Sequence, residues 1–190
     1  MLSSGEPTSS SKEDILMRKI YVDMDGVVAD FDMTVGQILG RELNASSQHN
    51  ISPEEWNIIA LHPRLYLDLP LMEHATHLVG YCTSLVSKYN TQFLTALPLR
   101  KTLPLAQEDK IEWCRKYFPG YKVNFGPRSV DKWKWCEPNS GDILIDDRMS
   151  NIEEWCEKGG GIGILYQNRI NETLEHLDQA MKTNAPTKFV

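Results

Sequence analysis

Two short acidic motifs hold the residues best suited to chemistry. In the first, Asp23 and Asp25 stand one residue apart, after the apolar run Ile20-Tyr21-Val22 and immediately before Gly26. Alternation along a strand would point both acids to one side. The strand is expected to end at the first of them, with Gly26 supplying the backbone freedom for a tight turn. In the second motif, Asp146 and Asp147 close the run Ile143-Leu144-Ile145. Taken singly, each has a plain reading: a water-exposed acidic turn, or a helix N-cap favoured by the helix dipole. Together they carry more weight, because the strands of one parallel sheet present their C-terminal ends to the same edge, where open α/β sheets place ligands. Four carboxylates meeting there repel one another unless a cation lies between them. Mg²⁺ suits the motifs, which offer hard oxygen ligands and no His or Cys, with room left for water and a substrate phosphate. One carboxylate would remain free as a nucleophile.

A phosphoryl-transfer site also needs fixed cations and hydrogen-bond donors. Thr95, at the end of the apolar stretch 91–96, could bind a phosphate oxygen or simply be a β-branched strand residue. Lys110, Lys132 and Lys134 supply positive charge near the same edge, although solvation is the ordinary fate of a loop lysine. Other features point nowhere. The run Gly159-Gly160-Gly161 precedes a strand rather than opening a helix, so it is no dinucleotide fingerprint. The five histidines lack metal spacing, and Trp133 and Trp135 suit packing better than a site rim.

The elements that must position these groups alternate. A first strand at 18–24 is followed by a helix carrying Val35, Ile38 and Leu39. A polar loop spans 44–51. Ser52-Pro53-Glu54-Glu55 then has the form of a capping box with proline at the first helical position. Residues 31–70 thus read as a small helical cap inserted after the first strand. A long amphipathic helix over 71–89 follows, then a strand at 91–96, a loop with Arg100 and Lys101, a helix near 107–117 and a strand at 121–125. A loop spans 126–141 and leads to a strand at 142–147. A second capping box, Ser150-Asn151-Ile152-Glu153, opens the next helix, followed by a strand at 163–166 and a terminal helix at 171–182. The pattern predicts an α/β fold: a Rossmann-like parallel sheet of about five strands with helices on both faces. The α/β core comprises 18–30 and 71–190, and 1–17, rich in Ser, Gly and Pro, reads as a disordered leader.

Bulk properties set limits. A chain of 190 residues suits one domain with a small insertion, and a 41% hydrophobic share allows a real core. A net charge of −6 argues against a broad nucleic-acid-binding face. Cys82, Cys114, Cys136 and Cys156 form no CxxC pair and read as reduced, mostly buried thiols. No apolar run approaches the roughly 20 residues that span a bilayer, and the first residues lack the apolar core of a signal peptide. A soluble, cytoplasmic protein without a membrane partner is expected. The sequence is silent on oligomeric state.

In order, Asp23-Met-Asp-Gly-Val, Thr95, a loop lysine and Ile-Asp146-Asp147 resemble the four motifs of the haloacid-dehalogenase-like phosphatase superfamily. Asp23-Met-Asp-Gly-Val-Val-Ala-Asp-Phe31 and Gly141-Asp-Ile-Leu-Ile-Asp-Asp147 are similar to its 5′(3′)-deoxyribonucleotidase branch, including phage and bacterial relatives. The resemblance spans about 18–166. It implies Asp23 as nucleophile and Asp25 as general acid and then base. Asp23, Asp25 through its carbonyl, Asp146 and, through water, Asp147 would hold Mg²⁺. It further implies a phosphate site of Thr95, Ala96 and a lysine, with Asp131-Lys132 matching the motif better than Lys134. Lys110 falls where the branch keeps another basic residue, and Phe31 where a ring stacks on the nucleobase.

The resulting expectation is a Mg²⁺-dependent phosphomonoesterase acting through an aspartyl-phosphate on (deoxy)nucleoside monophosphates. The alternatives are another small phosphate ester, a nucleic-acid terminal phosphate, or a non-catalytic nucleotide- or Mg²⁺-binding module.

Overall fold

Ile20, Tyr21 and Val22 are apolar on both faces, as a central strand of a parallel sheet must be, and all three are buried. The computed structural model describes residues 18–43, 51–98, 101–126 and 129–190; the expected leader, most of the 44–51 loop and Arg100 lie outside them. In chain order the elements are β1 (Ile20–Val22), α1 (Phe31–Leu39), α2 (Pro53–Ile59), α3 (Leu65–Asp68), α4 (Ala75–Val86), β2 (Thr91–Ala96), α5 (Ala106–Tyr117) and β3 (Lys122–Gly126). A 3-10 helix (Ser129–Trp135) precedes β4 (Ile143–Asp146), α6 (Met149–Glu157), β5 (Ile162–Leu165), α7 (Ile170–Ala180) and β6 (Thr187–Phe189). The six strands run in the order β3-β2-β1-β4-β5-β6, and every neighbouring pair is parallel.

The sheet has one strand more than the sequence suggests. Thr187–Phe189 is a short, half-exposed edge strand, too brief for alternation to be read. Packing splits the sheet's two faces. Ile20, Val22, Ile143, Ile145, Ile162 and Ile164 join the cluster that includes residues of α1, α4, α5 and α7. Tyr21, Leu94 and Leu144 face the other way, onto Ile152 and Trp155 of α6. Gly161 lets α6 approach β5, because a Cβ there would overlap the Trp155 indole and come within 2.7 Å of Cys136 Sγ.

Local chemistry explains most boundaries. Ser52 Oγ accepts the Glu55 amide at 3.2 Å while Glu55 accepts the Ser52 amide at 2.8 Å, completing the expected box. The box expected at Ser150 is not formed. The helix already begins at Met149, with Arg148 at the N-cap position and no side-chain cap; the Arg148 amide donates to Asp146 Oδ1 at 3.0 Å. The helix expected from residue 71 starts at Ala75, since the preceding backbone pairs with the turn after β1. The Asp30 amide donates to Pro70 O and the Met72 amide to Val28 O, both at 2.9 Å. These bonds close the excursion from α1 to α3 at its base. The 126–141 segment, read as loop, contains the 3-10 helix. Among the described residues, no helix is long and apolar enough to cross a membrane, and the four cysteines are free thiols.

Candidate active site

Register brings the two acidic motifs together. Val22 pairs with Ile145 across the β1–β4 ladder, so one step further Asp23 stands level with Asp146. The chain then turns sharply, with the amides of Val28 and Ala29 both returning to Met24 O at 2.9 and 2.8 Å. Gly26 takes a positive φ of 78°, and a Cβ there would overlap the Asp147 carboxylate. Glycine is therefore required twice, by backbone conformation and by space.

Asp23 is buried and held at both oxygens. Its Oδ1 accepts the Met24 amide at 2.7 Å, and its Oδ2 pairs with Lys132 Nζ at 2.8 Å. Lys132, 2% exposed, also reaches Asp146 Oδ2 at 2.6 Å. Asp146, fully buried, further accepts from Asn151 Nδ2 at 2.9 Å. Asp23, Asp146 and Asp147 each present an oxygen within 4.8 Å of the others. Burial works against the Lys132 ammonium, but the carboxylates of Asp146 and Asp23 outweigh it and hold its pKa above the ordinary lysine value. Burial, then repulsion from Asp146 and Asp23, pushes the Asp147 carboxyl well above the usual carboxylate range. The donor set is hard oxygen throughout, which fits Mg²⁺ or a similar cation and not a soft metal.

Asp25 lies beside this cluster with a cation of its own. Lys110 Nζ donates to Asp25 Oδ2 at 2.6 Å and to Thr95 Oγ1 at 2.7 Å. It also sits 4.4 Å from the centroid of the Tyr66 ring. Tyr66 stacks on Phe31 with centroids 6.0 Å apart.

Of the residues singled out in the sequence, Asp23, Asp146, Asp147 and Lys132 form one cluster, and Asp25, Lys110 and Thr95 a second beside it. Ala96 ends β2, half-buried and paired with Gly126. The structure does not bring Lys134 to either cluster: half exposed, it pairs with Asp131 at 2.9 Å. Phe31 is 4% exposed and faces Tyr66 rather than an open space. Asn151 and Tyr66 escaped notice. Asn151 was disguised as part of a capping motif, and a lone tyrosine on a four-residue helix gives no pattern to read.

The chain matches the family model described as 5′ nucleotidase, deoxy (pyrimidine), cytosolic type C protein, over residues 17–185. No curated protein matches it. Among solved structures, it is similar to a haloacid dehalogenase-like family hydrolase from Xanthomonas campestris, at 14% identity, 79% coverage of this chain, 82% of that chain and TM-score 0.48. A HAD family hydrolase from Deinococcus radiodurans R1, with bound phosphate and sodium, aligns at 12% identity, 93% and 92% coverage and TM-score 0.48. A hydrolase from Streptococcus pneumoniae TIGR4 aligns at 12% identity, 86% and 99% coverage and TM-score 0.47.

The two loop lysines predict opposite behaviour. In chelator-treated protein, Lys132→Met strips two buried carboxylates of their cation and should cost roughly 3–5 kcal/mol of unfolding free energy. Lys134→Met should cost less than about 0.5 kcal/mol. Urea denaturation of both variants checks this, and equal costs would contradict the placement of Lys132.

Proposed function

The chain belongs to the 5′-nucleotidase, deoxy (pyrimidine), cytosolic type C protein family, and from that premise we propose a Mg²⁺-dependent phosphomonoesterase that acts on (deoxy)nucleoside monophosphates through an aspartyl-phosphate. The observation that carries this reading is the buried trio Asp23, Asp146 and Asp147 with Lys132 bridging two of its members.

Asp23 is the nucleophile. Its carboxylate oxygen forms a bond to phosphorus as the bond from phosphorus to the ester oxygen breaks. Asp25 gives its proton to the departing alkoxide. Asp25 then accepts a proton from water, whose oxygen attacks phosphorus while the bond to Asp23 breaks and the carboxylate is restored. Lys132 orients Asp23 through Oδ2 and offsets charge where the phosphoryl oxygens gather. The end of β2, at Thr95 and Ala96, offers these oxygens their second boundary. Mg²⁺ held by Asp23, Asp146, the Asp25 carbonyl and, through water, Asp147 would screen the repulsion between nucleophile and phosphate. Residues 31–70, closed at their base by the Asp30–Pro70 and Met72–Val28 backbone bonds, act as a small cap over this edge.

Metal binding has a readout independent of turnover. A cation at one hundred times its Kd stabilises by about 2.7 kcal/mol, which for a chain of this size is roughly 5–10 °C in Tm. Mg²⁺ should produce that rise in the native chain and little or none in Asp146→Asn; a flat response in the native chain would contradict the site.

Substrate class is checked by Mg²⁺-dependent phosphate release over nucleoside 5′- and 3′-monophosphates, sugar phosphates and 5′-phosphorylated oligonucleotides, with Asp23→Asn as the blank. Nucleoside monophosphates should be turned over fastest, and Asp23→Asn should lose about 10³-fold or more. Faster release from sugar phosphates or oligonucleotides would replace the substrate assignment, and undiminished release by Asp23→Asn would remove the nucleophile.

A further inference from the structure

Lys110 is 0% exposed, at the centre of α5. An ammonium carries three N–H groups, and the surroundings of this one account for them. Asp25 Oδ2 at 2.6 Å and Thr95 Oγ1 at 2.7 Å accept two. The Tyr66 ring, with its centroid 4.4 Å away, covers a further side, where the negative face of the π-system attracts the charge. Among the described residues, Asp25, Thr95 and the Tyr66 ring thus surround the ammonium. The contrast with Lys132 is informative, because Lys132 touches the nucleophile Asp23 directly.

The elements around Lys110 make its position rigid. Arg64, just before α3, pairs with Asp109 at 2.6 Å and with Glu112 at 2.9 Å on α5. The Trp113 indole donates to Leu69 O at 2.7 Å, just beyond α3. These contacts clamp α3 to α5 on either side of Tyr66, and Phe31 backs the Tyr66 ring. Among the described residues, the far oxygen of Asp25, Oδ1, is buried and has no hydrogen-bond partner. Rotation of this carboxylate is therefore set by the single strong contact at Oδ2.

We propose that Lys110 is a positioning residue for proton transfer: seated between Thr95 and the Tyr66 ring, it fixes the orientation of the Asp25 carboxylate and does not bind the phosphoryl group. The inference rests on Asp25 being the acid and base of the reaction proposed above. It also gives the helical segment between β1 and β2 a share in the chemistry, since Tyr66 belongs to that segment.

The test compares native protein, Lys110→Met, Tyr66→Phe and Tyr66→Leu. It measures kcat and KM on a nucleoside 5′-monophosphate, the inhibition constant of inorganic phosphate, and the burst rate with p-nitrophenyl phosphate. Nitrophenolate leaves without needing a proton, so an oriented acid matters little for its burst. Lys110→Met should lower kcat on the nucleotide about 10²-fold or more, the usual range for general acid–base catalysis. Its phosphate inhibition constant should stay within about twofold and its nitrophenolate burst within about tenfold of the native values, far short of the loss on the nucleotide. Tyr66→Phe keeps the ring and should keep kcat, while Tyr66→Leu should lose it without weakening phosphate inhibition. If Lys110→Met does not fold, as judged by circular dichroism, the Tyr66 pair decides on the same criteria. A tenfold or greater rise in the phosphate inhibition constant, with parallel losses on both substrates, would overturn the proposal in favour of a phosphate ligand. Equal behaviour of Tyr66→Phe and Tyr66→Leu would overturn it as well. Absence of turnover by the native protein would instead fail the proposed function, and this inference with it.

Discussion

Like charge buried at one point of the sheet governs this structure. Asp23, Asp146 and Asp147 meet within 4.8 Å, and carboxylates without water between them cannot all stay ionised unless something positive joins them. The parallel register leaves the chain no choice, since β1 and β4 are neighbours, Asp23 directly follows β1 and β4 ends on Asp146. What the chain can choose is the company it supplies. Lys132 bridges Asp23 and Asp146, the Met24 and Arg148 amides bind one oxygen of each, and Asn151 adds a donor to Asp146. An acidic set built of oxygen donors alone suits a hard cation. Burying like charges this closely is costly to fold.

The same constraint explains why a second lysine lies next door. Asp25 is turned away from the trio and given Lys110, so the two carboxylates of the first motif live in different electrostatic settings although they are one residue apart. Division of labour between nearby acids depends on such unequal surroundings. Lys110 in turn is held by Tyr66, and Tyr66 by the Arg64–Asp109 ion pair and the Trp113–Leu69 hydrogen bond. The helical excursion after β1 is thereby tied to the core within reach of the chemistry.

Much of this was legible from residue types alone. β2 is found at the residues where its β-branched and aromatic run predicts it. The Ser52 box formed as its Ser-Pro-Glu-Glu pattern dictates, because both partners are local in sequence. The convergence of the acidic motifs followed from the rule that parallel strands share an edge. Features that depend on tertiary context were not legible. Ser150 has the pattern of a cap, yet the helix begins one residue before it, at Met149. Lys132 and Lys134 are alike as residue types and only the motif resemblance prefers Lys132; the structure shows Lys132 turned inward to Asp23 and Asp146 and Lys134 paired with Asp131. Lys110 carries the right charge for a phosphate ligand, but its contacts with Asp25, Thr95 and the Tyr66 ring could not be read from the sequence. Phe31 is a ring in a suggestive place, and its stacking on Tyr66 could not be read from the sequence.

All of these roles refer back to Asp23, oriented just beyond β1 by the Met24 amide and Lys132. The most direct test is to quench the reaction with acid in the first turnover of a ³²P-labelled nucleoside monophosphate and to map the label by peptide. A covalent label on the peptide containing Asp23, stable in acid, labile to hydroxylamine and lost on chasing with unlabelled substrate, is the predicted result. Turnover with no trapped label, or a label carried by a peptide lacking Asp23, would contradict it.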